Sequence, residues 1–176
     1  MAFPHEIETA RLRLVAGTPA LAQAALEDRN RFAALLGAYP DPGWPTPIIG
    51  GALTYFADTL ASHPELTGWL VWYVIRKSDP VGGCVIGSTG FDGLPDDDGS
   101  VRVGFSIVEA YCGQGYATEA VKAMMDWAFA HGAKRCYSQT YIENLSAIRV
   151  MQKSGMAFGG ESEEGLVVYE KFKEQA

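Results

Sequence analysis

A glycine-rich segment gives the strongest chemical signal in this sequence. It reads Cys112-Gly113-Gln114-Gly115-Tyr116-Ala117 and lies between an alternating strand pattern and a helix pattern. The two glycines remove side chains where successive backbone N–H groups point out of a helix N-terminus. Such unpaired N–H groups bind anions, phosphate in particular. Since a lone G-x-G often serves only the backbone angles of a turn, the interpretation as an anion cradle depends on the neighbouring residues.

Hydrophobic periodicity predicts the elements that position this segment. Residues 100–107 alternate apolar and polar side chains, which is typical of a strand with one apolar face. From Ala117 onward, apolar residues recur every three or four positions, which predicts a helix with one packed face. We therefore expect a strand, a glycine turn and a helix from Ser100 to His131.

Two motifs resemble a known family. The run Y-C-G-Q-G-Y-A-T-E-A resembles the acyl-CoA pyrophosphate loop, R/Q-x-x-G-x-G/A, of the GNAT acyltransferase superfamily. Its Y-A-T-E-A part is similar to the branch of ribosomal-protein N-terminal acetyltransferases (RimJ/RimL-like). Residues Asn144 to Met156 resemble the segment N-x-x-S-x-R-V-x-x-K-x-G-F/M of the same branch, at a similar distance. The resemblance covers roughly Pro80 to Phe158, and the N-terminal third matches in outline.

The resemblance implies an α/β fold and a binding site for acetyl-CoA. The fold would be a mixed, mostly antiparallel sheet of six to seven strands, flanked by helices and splayed at a bulged central strand, where Gly104 makes distortion cheap. Ile107 and Val108 would offer backbone hydrogen bonds to the pantetheine, and Asn144 would steady the pantetheine arm. The pyrophosphate loop would comprise Cys112, Gly113, Gln114, Gly115, Tyr116, Ala117 and Thr118, with backbone amides from 113 to 118 holding the pyrophosphate.

The implied reaction is direct attack of a neutral amine on the thioester, so no covalent enzyme intermediate is needed. An unpaired strand amide would stabilise the oxyanion, and positioning would provide much of the rate. A carboxylate or water chain that removes the amine's proton is worth about 10²- to 10⁴-fold. The position that is often Glu in this branch is Arg102, which leaves Asp92, Glu109 and Glu143 as candidate bases.

The residue that would reprotonate the thiolate is also missing from its usual position in the motif. The Tyr that many members carry seven residues after the motif's Asn is Met151 here, and the Ser that the related branch carries three residues after it is Ala147. Ser146 lies one position earlier, about 100° away around a helix. Ser146 is therefore the candidate acid, and capping of the helix is the alternative role for it.

Composition bounds the class of protein. The chain of 176 residues, 48% apolar and 20% charged, predicts a single globular domain spanning residues 1–176. The longest apolar run, Leu70 to Ile75, is too short to span a bilayer, and the N-terminus lacks a secretory pattern, so we expect a cytoplasmic protein. A net charge of −7 argues against nucleic acid as a partner and suits an amine-bearing acceptor.

The cysteines and acidic residues predict no metal site. Cys84, Cys112 and Cys136 are odd in number and have no ligand spacing, so neither a disulfide framework nor zinc is expected. Asp96-Asp97-Asp98-Gly99 has the wrong alternation for a calcium loop and is predicted to be a solvated hairpin turn. Cys112, just before a helix start, is either a readily alkylated thiol or an inert small residue.

The remaining elements follow from local patterns. Thr18 and Pro19 predict the start of a helix that ends near Gly37. Ala38 to Pro47 contains four prolines and must be a loop, in which Tyr39 and Trp44 either line an acceptor pocket or pin the loop to the core. Residues 48–62 have helical spacing.

Five further strands are predicted around the central one, with a turn at residues 78–80. Thr9 to Val15 should be a strand whose basic face is solvated, and Gly68 to Lys77 should lie centrally because both of its faces are apolar. The others are residues 81–91, 133–141 and 166–172, with a short helix from Asn144 between the last two.

Three functions stay open at this stage. The first is acetyl transfer from acetyl-CoA to a primary amine, for which the resemblance suggests a protein N-terminus. The second is acetylation of a small antibiotic or polyamine-type amine. The third is a CoA-binding module without catalysis, since Arg102, Cys112 and Met151 replace expected residues. A P-loop enzyme is disfavoured because no Lys-Ser/Thr pair follows the glycines. The oligomeric state is open, a homodimer included.

Overall fold

A mixed sheet with helices on both faces forms the structure, a computed structural model that describes residues 3–78 and 82–175. The described residues form nine strands: β1 Glu6–Glu8, β2 Leu12–Ala16, β3 Tyr39–Pro40, β4 Val71–Arg76, β5 Cys84–Phe91, β6 Ser100–Ile107, β7 Arg135–Thr140, β8 Ala157–Glu161 and β9 Val167–Phe172. The α-helices are α1 Pro19–Glu27, α2 Arg29–Leu36, α3 Pro47–Gly50, α4 Leu53–Ser62, α5 Tyr116–Ala130 and α6 Leu145–Lys153. None of the described helices is long and apolar enough to cross a membrane.

The sheet order is β1-β2-β4-β5-β6-β7-β9-β8, with β3 pairing in parallel to the start of β5. The pairs along this order are antiparallel except β6–β7. The predicted mixed, mostly antiparallel sheet is therefore confirmed. It has more strands than the six to seven expected, because β1, β3 and β8 are too short or too polar to show an alternating pattern.

The splay at the central strand is also as expected. Strand β6 pairs with β7 only through Ser100–Arg102. Beyond Arg102, β6 pairs only with β5 within the part of the chain that the structure describes. The second half of β6 therefore presents an unpaired backbone edge toward α6.

The predicted bulge at Gly104 is wrong. Gly104 pairs with Gly90 in a regular β5–β6 ladder. The register shift lies instead between β4 and β5, where Ile86 is the extra residue. The glycine that the ladder requires is Gly90, since a Cβ there would lie 1.9 Å from the carbonyl oxygen of Leu70.

Apolar cores lie on both faces of the sheet, as the two-sided apolar pattern of residues 68–77 predicts. On β4, Trp72 and Val74 belong to the core under α5, whereas Tyr73 and Ile75 belong to the core under the N-terminal helices. Strand β4 lies between β2 and β5. This central position is what a strand buried on both faces requires.

Capping residues explain where predicted helices divide. Thr18 caps α1 as expected, but Asp28 accepts the N–H of Arg31 and starts α2, so the predicted single helix is two. The helix predicted for residues 48–62 is also divided, into α3 and α4, with Gly51 as the C-cap of α3 and no side-chain cap at the start of either helix. Asp96 accepts the N–H groups of Asp98 and Ser100, which confirms the hairpin turn. Residues 79–81, part of the predicted turn and strand start, lie outside the described residues.

Candidate functional site

The start of α5 carries a run of free backbone donors. Gly115 is the N-cap, with φ 84°, and no side chain caps the helix. Among the described residues, no protein acceptor is bonded to the N–H groups from Gly113 to Thr118. A Cβ on Gly113 would meet nothing within 4 Å, so the backbone there faces open space. These are the properties of an anion-binding helix start. We call residues 113–118 the cradle.

A cavity of about 460 Å³, which we call the splay cavity, lies between the unpaired half of β6, α5 and α6. It brings together most of the residues predicted for the donor site. The predicted residues that line it are Ile107, Cys112, Gly113, Gly115, Tyr116, Ala117, Thr118, Asn144 and Ser146. The cradle and the splayed strand therefore open into one space.

Two predicted donor residues do not line the splay cavity. The N–H of Val108 donates to the carbonyl of Ile86 at 2.8 Å, so it is not free for pantetheine. The carbonyl of Gln114 accepts from the Arg11 guanidinium at 2.9 Å, and its side chain turns back to the carbonyl of Ala110. The polar groups of both residues are hydrogen-bonded within the protein, and a sequence motif does not show such bonds.

Asn144 organises the start of α6. Its Oδ1 accepts the N–H of Ala147 and the hydroxyl of Ser146, both at 3.3 Å, while its Nδ2 donates to Thr140. Asn144 therefore caps the helix, and the capping role considered for Ser146 is wrong. The Ser146 hydroxyl is exposed on the wall of the splay cavity.

Cationic side chains on α6 also line the splay cavity. Arg149 and Lys153 are four residues apart, so they lie on one face of the helix. Both residues lie in the second motif, but their types and positions in the sequence predicted no role for them. Their i, i+4 spacing in a motif next to the predicted phosphate-binding loop was the available signal.

Arg11 contacts the cradle segment. Its side chain is 44% exposed, as the expected solvated basic face requires, but it also has partners that the sequence did not predict. Its Nε donates to Glu119 at 2.8 Å, its Nη1 donates to the carbonyl of Gln114, and its guanidinium lies 4.2 Å from the ring centre of Tyr116. Arg13 is also engaged, with Glu6 and the carbonyl of Leu36.

Glu119 is held by two residues of the β1–β2 turn. Its Oε2 accepts from the Thr9 hydroxyl and from the Arg11 backbone N–H. Partial burial raises the pKa of Glu119, but the bonds from Thr9 and Arg11 outweigh burial and leave the pKa below its ordinary value. Glu119 is therefore a carboxylate at neutral pH.

A second cavity of about 460 Å³, the loop cavity, lies where the proline-rich loop meets β6. Its described lining residues are Gly43, Thr46, Pro47, Ile48, Ser106, Ile107, Val108 and Glu109. Ser106 and Ile107 line both cavities. The Ser106 hydroxyl is 2.6 Å from the Thr46 hydroxyl, which joins the loop to the splayed strand.

Neither predicted aromatic lines the loop cavity. Trp44 is buried, stacks on Phe32 at 4.9 Å and donates its Nε1–H to Ser88, so its role is to pin the loop to the core. Tyr39 is 65% exposed on β3 and does not line either cavity. The loop residues that do line the loop cavity have smaller side chains, and no sequence pattern marked them as part of a site.

A hydrogen bond from Tyr111 also ties the proline-rich loop to the splay cavity. Tyr111 lines that cavity, and its hydroxyl donates to Asp41 at 3.0 Å. Burial, with a smaller contribution from the Asp41 bond, raises the pKa of Tyr111 to about 12. The hydroxyl therefore stays protonated and keeps donating to Asp41 at neutral pH.

The structure separates the three candidate bases. Asp92 is engaged in an ion pair with Arg102, the residue that replaced the expected Glu. Glu143 lines neither cavity. Glu109 lines the loop cavity and is the charged side chain among its described lining residues.

Comparisons with known proteins agree with this geometry. The acetyltransferase (GNAT) domain model matches residues 11–157. The uncharacterised N-acetyltransferase YjdG of Bacillus subtilis (strain 168) is 27% identical over 159 residues, which cover 90% of this chain and 93% of YjdG.

Solved structures show the same fold. Ribosomal-protein-S5-alanine acetyltransferase from Vibrio fischeri superposes with a TM-score of 0.65 at 18% identity, covering 96% of each chain. The microcin C7 self-immunity acetyltransferase MccE, solved with acetyl-CoA and AMP, superposes with a TM-score of 0.63 at 14% identity, covering 94% of each chain. Together with the domain match, the cradle and the splay place this chain in the GNAT acetyltransferase family.

Proposed function

We propose that this protein transfers an acetyl group from acetyl-CoA to a primary amine. The observation that carries the proposal is the meeting of the two cavities at Ser106 and Ile107. The anion-binding start of α5 opens into the splay cavity, and the loop cavity shares two residues of β6 with it. A donor and an acceptor bound in these spaces would meet at the strand.

The splay cavity suits acetyl-CoA. The pyrophosphate would accept the free N–H groups from Gly113 to Thr118, and Arg149 and Lys153 would add positive charge. The pantetheine would run along the unpaired edge of β6 at Ile107, beside Asn144. MccE, which shares the fold, was solved with acetyl-CoA, and this supports the choice of donor.

The loop cavity suits a primary amine with a compact apolar neighbour. Glu109 supplies the negative charge that an ammonium group requires, while Pro47, Ile48 and Val108 supply apolar walls. The N-terminus of a polypeptide, with a small apolar first residue, has this combination. The Vibrio fischeri relative is described as an acetyltransferase of ribosomal protein S5 alanine, which supports a protein acceptor.

The reaction proceeds by direct attack. The ammonium group passes one proton to Glu109 and on to solvent, and the neutral amine attacks the thioester carbon. The new C–N bond forms as the C–S bond breaks. The second amine proton goes to the departing sulfur, for which Ser146 is the candidate relay on the wall of the splay cavity. The products are the acetamide and CoA.

The test is to incubate the protein with acetyl-CoA and a panel of amines, and to record CoA release and acceptor mass. The panel contains short peptides with Ala, Ser, Met or Glu at the N-terminus, the same peptides with blocked N-termini, and a polyamine. Release of CoA is expected, together with a mass gain of one acetyl group on the free Ala or Ser peptides. Acetylation of the polyamine alone would replace the peptide acceptor. CoA binding without release would identify a non-catalytic module.

A further inference from the structure

Arg11 and Glu119 face each other behind the cradle, and their charges have opposite consequences for a phosphate ligand. Glu119 lies in the first turn of α5, the turn whose free N–H groups form the cradle. A carboxylate there favours the helix through the macrodipole but repels a bound anion. Arg11 pairs with that carboxylate at 2.8 Å. Its guanidinium also reaches the carbonyl of Gln114, inside the cradle segment.

The Arg11 contacts also fix the shape of the cradle. The guanidinium bonds Gln114, lies over Tyr116 and comes within 3.2 Å of where a Cβ on Gly115 would be. It therefore touches three consecutive residues of the segment and is not itself among the residues that line the splay cavity. A planar group with several donors can hold these positions together, whereas a flexible amine cannot.

We propose that Arg11 is a positioning residue for acetyl-CoA, which neutralises Glu119 and holds the cradle in its phosphate-binding shape. The inference rests on the proposed function, because it assumes that the cradle takes the pyrophosphate. Arg11 would also compensate for Cys112, which stands where the family motif carries Arg or Gln. In this chain, the polar side chain that supports the loop would come from the β1–β2 turn.

The test compares R11A with R13A by steady-state kinetics with acetyl-CoA and with S-acetylpantetheine, a donor without phosphates. Arg13 is the matched control, since this arginine lies two residues further on, in β2, and is also ion-paired, but it bonds Glu6 and the carbonyl of Leu36 away from the cradle. In R11A, KM for acetyl-CoA should rise by about fivefold, because the Glu119 carboxylate beside the cradle loses its partly exposed countercharge, while kcat is kept. Turnover of S-acetylpantetheine should not change.

The double variant R11A/E119Q tests the charge argument. In R11A the carboxylate keeps its bonds to Thr9 and to the backbone of residue 11, so it stays near the cradle without its countercharge. Replacing it by the neutral amide should recover part of the lost acetyl-CoA affinity, and E119Q alone closes the cycle. Circular dichroism confirms that each variant is folded.

The outcomes separate this inference from the proposed function. If the wild-type protein binds no acetyl-CoA, the proposed function itself is contradicted. Wild-type binding with an R11A affinity equal to that of R13A, or an equal loss with S-acetylpantetheine, would overturn the role of Arg11. Failure of E119Q to recover affinity in the R11A background would overturn neutralisation of Glu119.

Discussion

The splay cavity and the loop cavity each measure about 460 Å³ but are built in different ways. The splay cavity is lined mainly by residues 105–118 and 144–153, two continuous stretches that carry recognisable motifs. The loop cavity combines residues 43–48 with residues 106–109, and its loop part has no motif. A donor shared across a family can be bound by a recurrent local structure. An acceptor particular to one protein is bound by whatever its loops bring together.

The two cavities also differ in how their functional groups arise. The cradle uses backbone N–H groups, which any residue with a permitted backbone supplies. In the proposed function, the loop cavity relies on side chains, above all Glu109. The difference is therefore tested by substitutions that change the backbone angles at the cradle and the side-chain chemistry at the loop cavity.

The largest effect is expected from G115V. Gly115 has a left-handed φ of 84°, and a branched side chain there would disturb the cradle, so CoA binding should be lost in calorimetric titration. The strain costs about 1–2 kcal/mol of stability. G132V is the matched control, because Gly132 has φ 106° and open space just beyond the other end of α5. Equal CoA affinity in folded G115V and G132V would contradict the cradle.

The next effect is expected from E109Q. Loss of a proton acceptor in the loop cavity should lower kcat/KM for the amine by about 10²-fold, while the dissociation constant of CoA stays unchanged. E143Q is the control, since Glu143 lines neither cavity. If E109Q and E143Q have the same amine kinetics, Glu109 is not the proton acceptor.

A smaller effect is expected from S146A. Asn144 provides the helix cap, so loss of the Ser146 hydroxyl should leave thermal stability unchanged. It should lower kcat about tenfold by slowing protonation of the leaving sulfur, with little change in donor affinity. Stopped-flow measurement of single turnover separates this step from binding. If S146A turns over at the wild-type rate, the Ser146 hydroxyl is not a proton relay in the reaction.

The smallest effect concerns the rates of cysteine alkylation. Cys112 is exposed in the splay cavity, whereas burial raises the pKa of the Cys136 thiol to about 12 and keeps it protonated until strongly alkaline pH. Brief alkylation at neutral pH should therefore label Cys112 and spare Cys136, and bound CoA should slow labelling of Cys112. Peptide mapping measures both rates. Labelling of Cys112 that CoA does not slow would place the ligand elsewhere.

Local patterns predicted the elements of the donor side because the forces that form them act over a few residues. Strand β6 and helix α5 follow from apolar periods of two and of three to four, and the cradle follows from glycines at a helix start. Even here tertiary contacts decided details. Val108 was predicted as a pantetheine partner, but its N–H is used by Ile86 on the neighbouring strand.

The sequence by itself determined the order of strands and helices around the cradle, the motif that identifies the family and the free backbone donors at the start of α5. Only the tertiary structure decided which distant residues complete the site. Thr46 meets Ser106 across 60 positions, and Arg11 meets Glu119 across 108. A hydrophobic period shows that one face of an element is polar, but not what will cover that face. The Arg11 side chain reads as solvated in the sequence, and it remains 44% exposed, but the fold also gives it Glu119 as a partner because tertiary packing brings the β1–β2 turn against the start of α5.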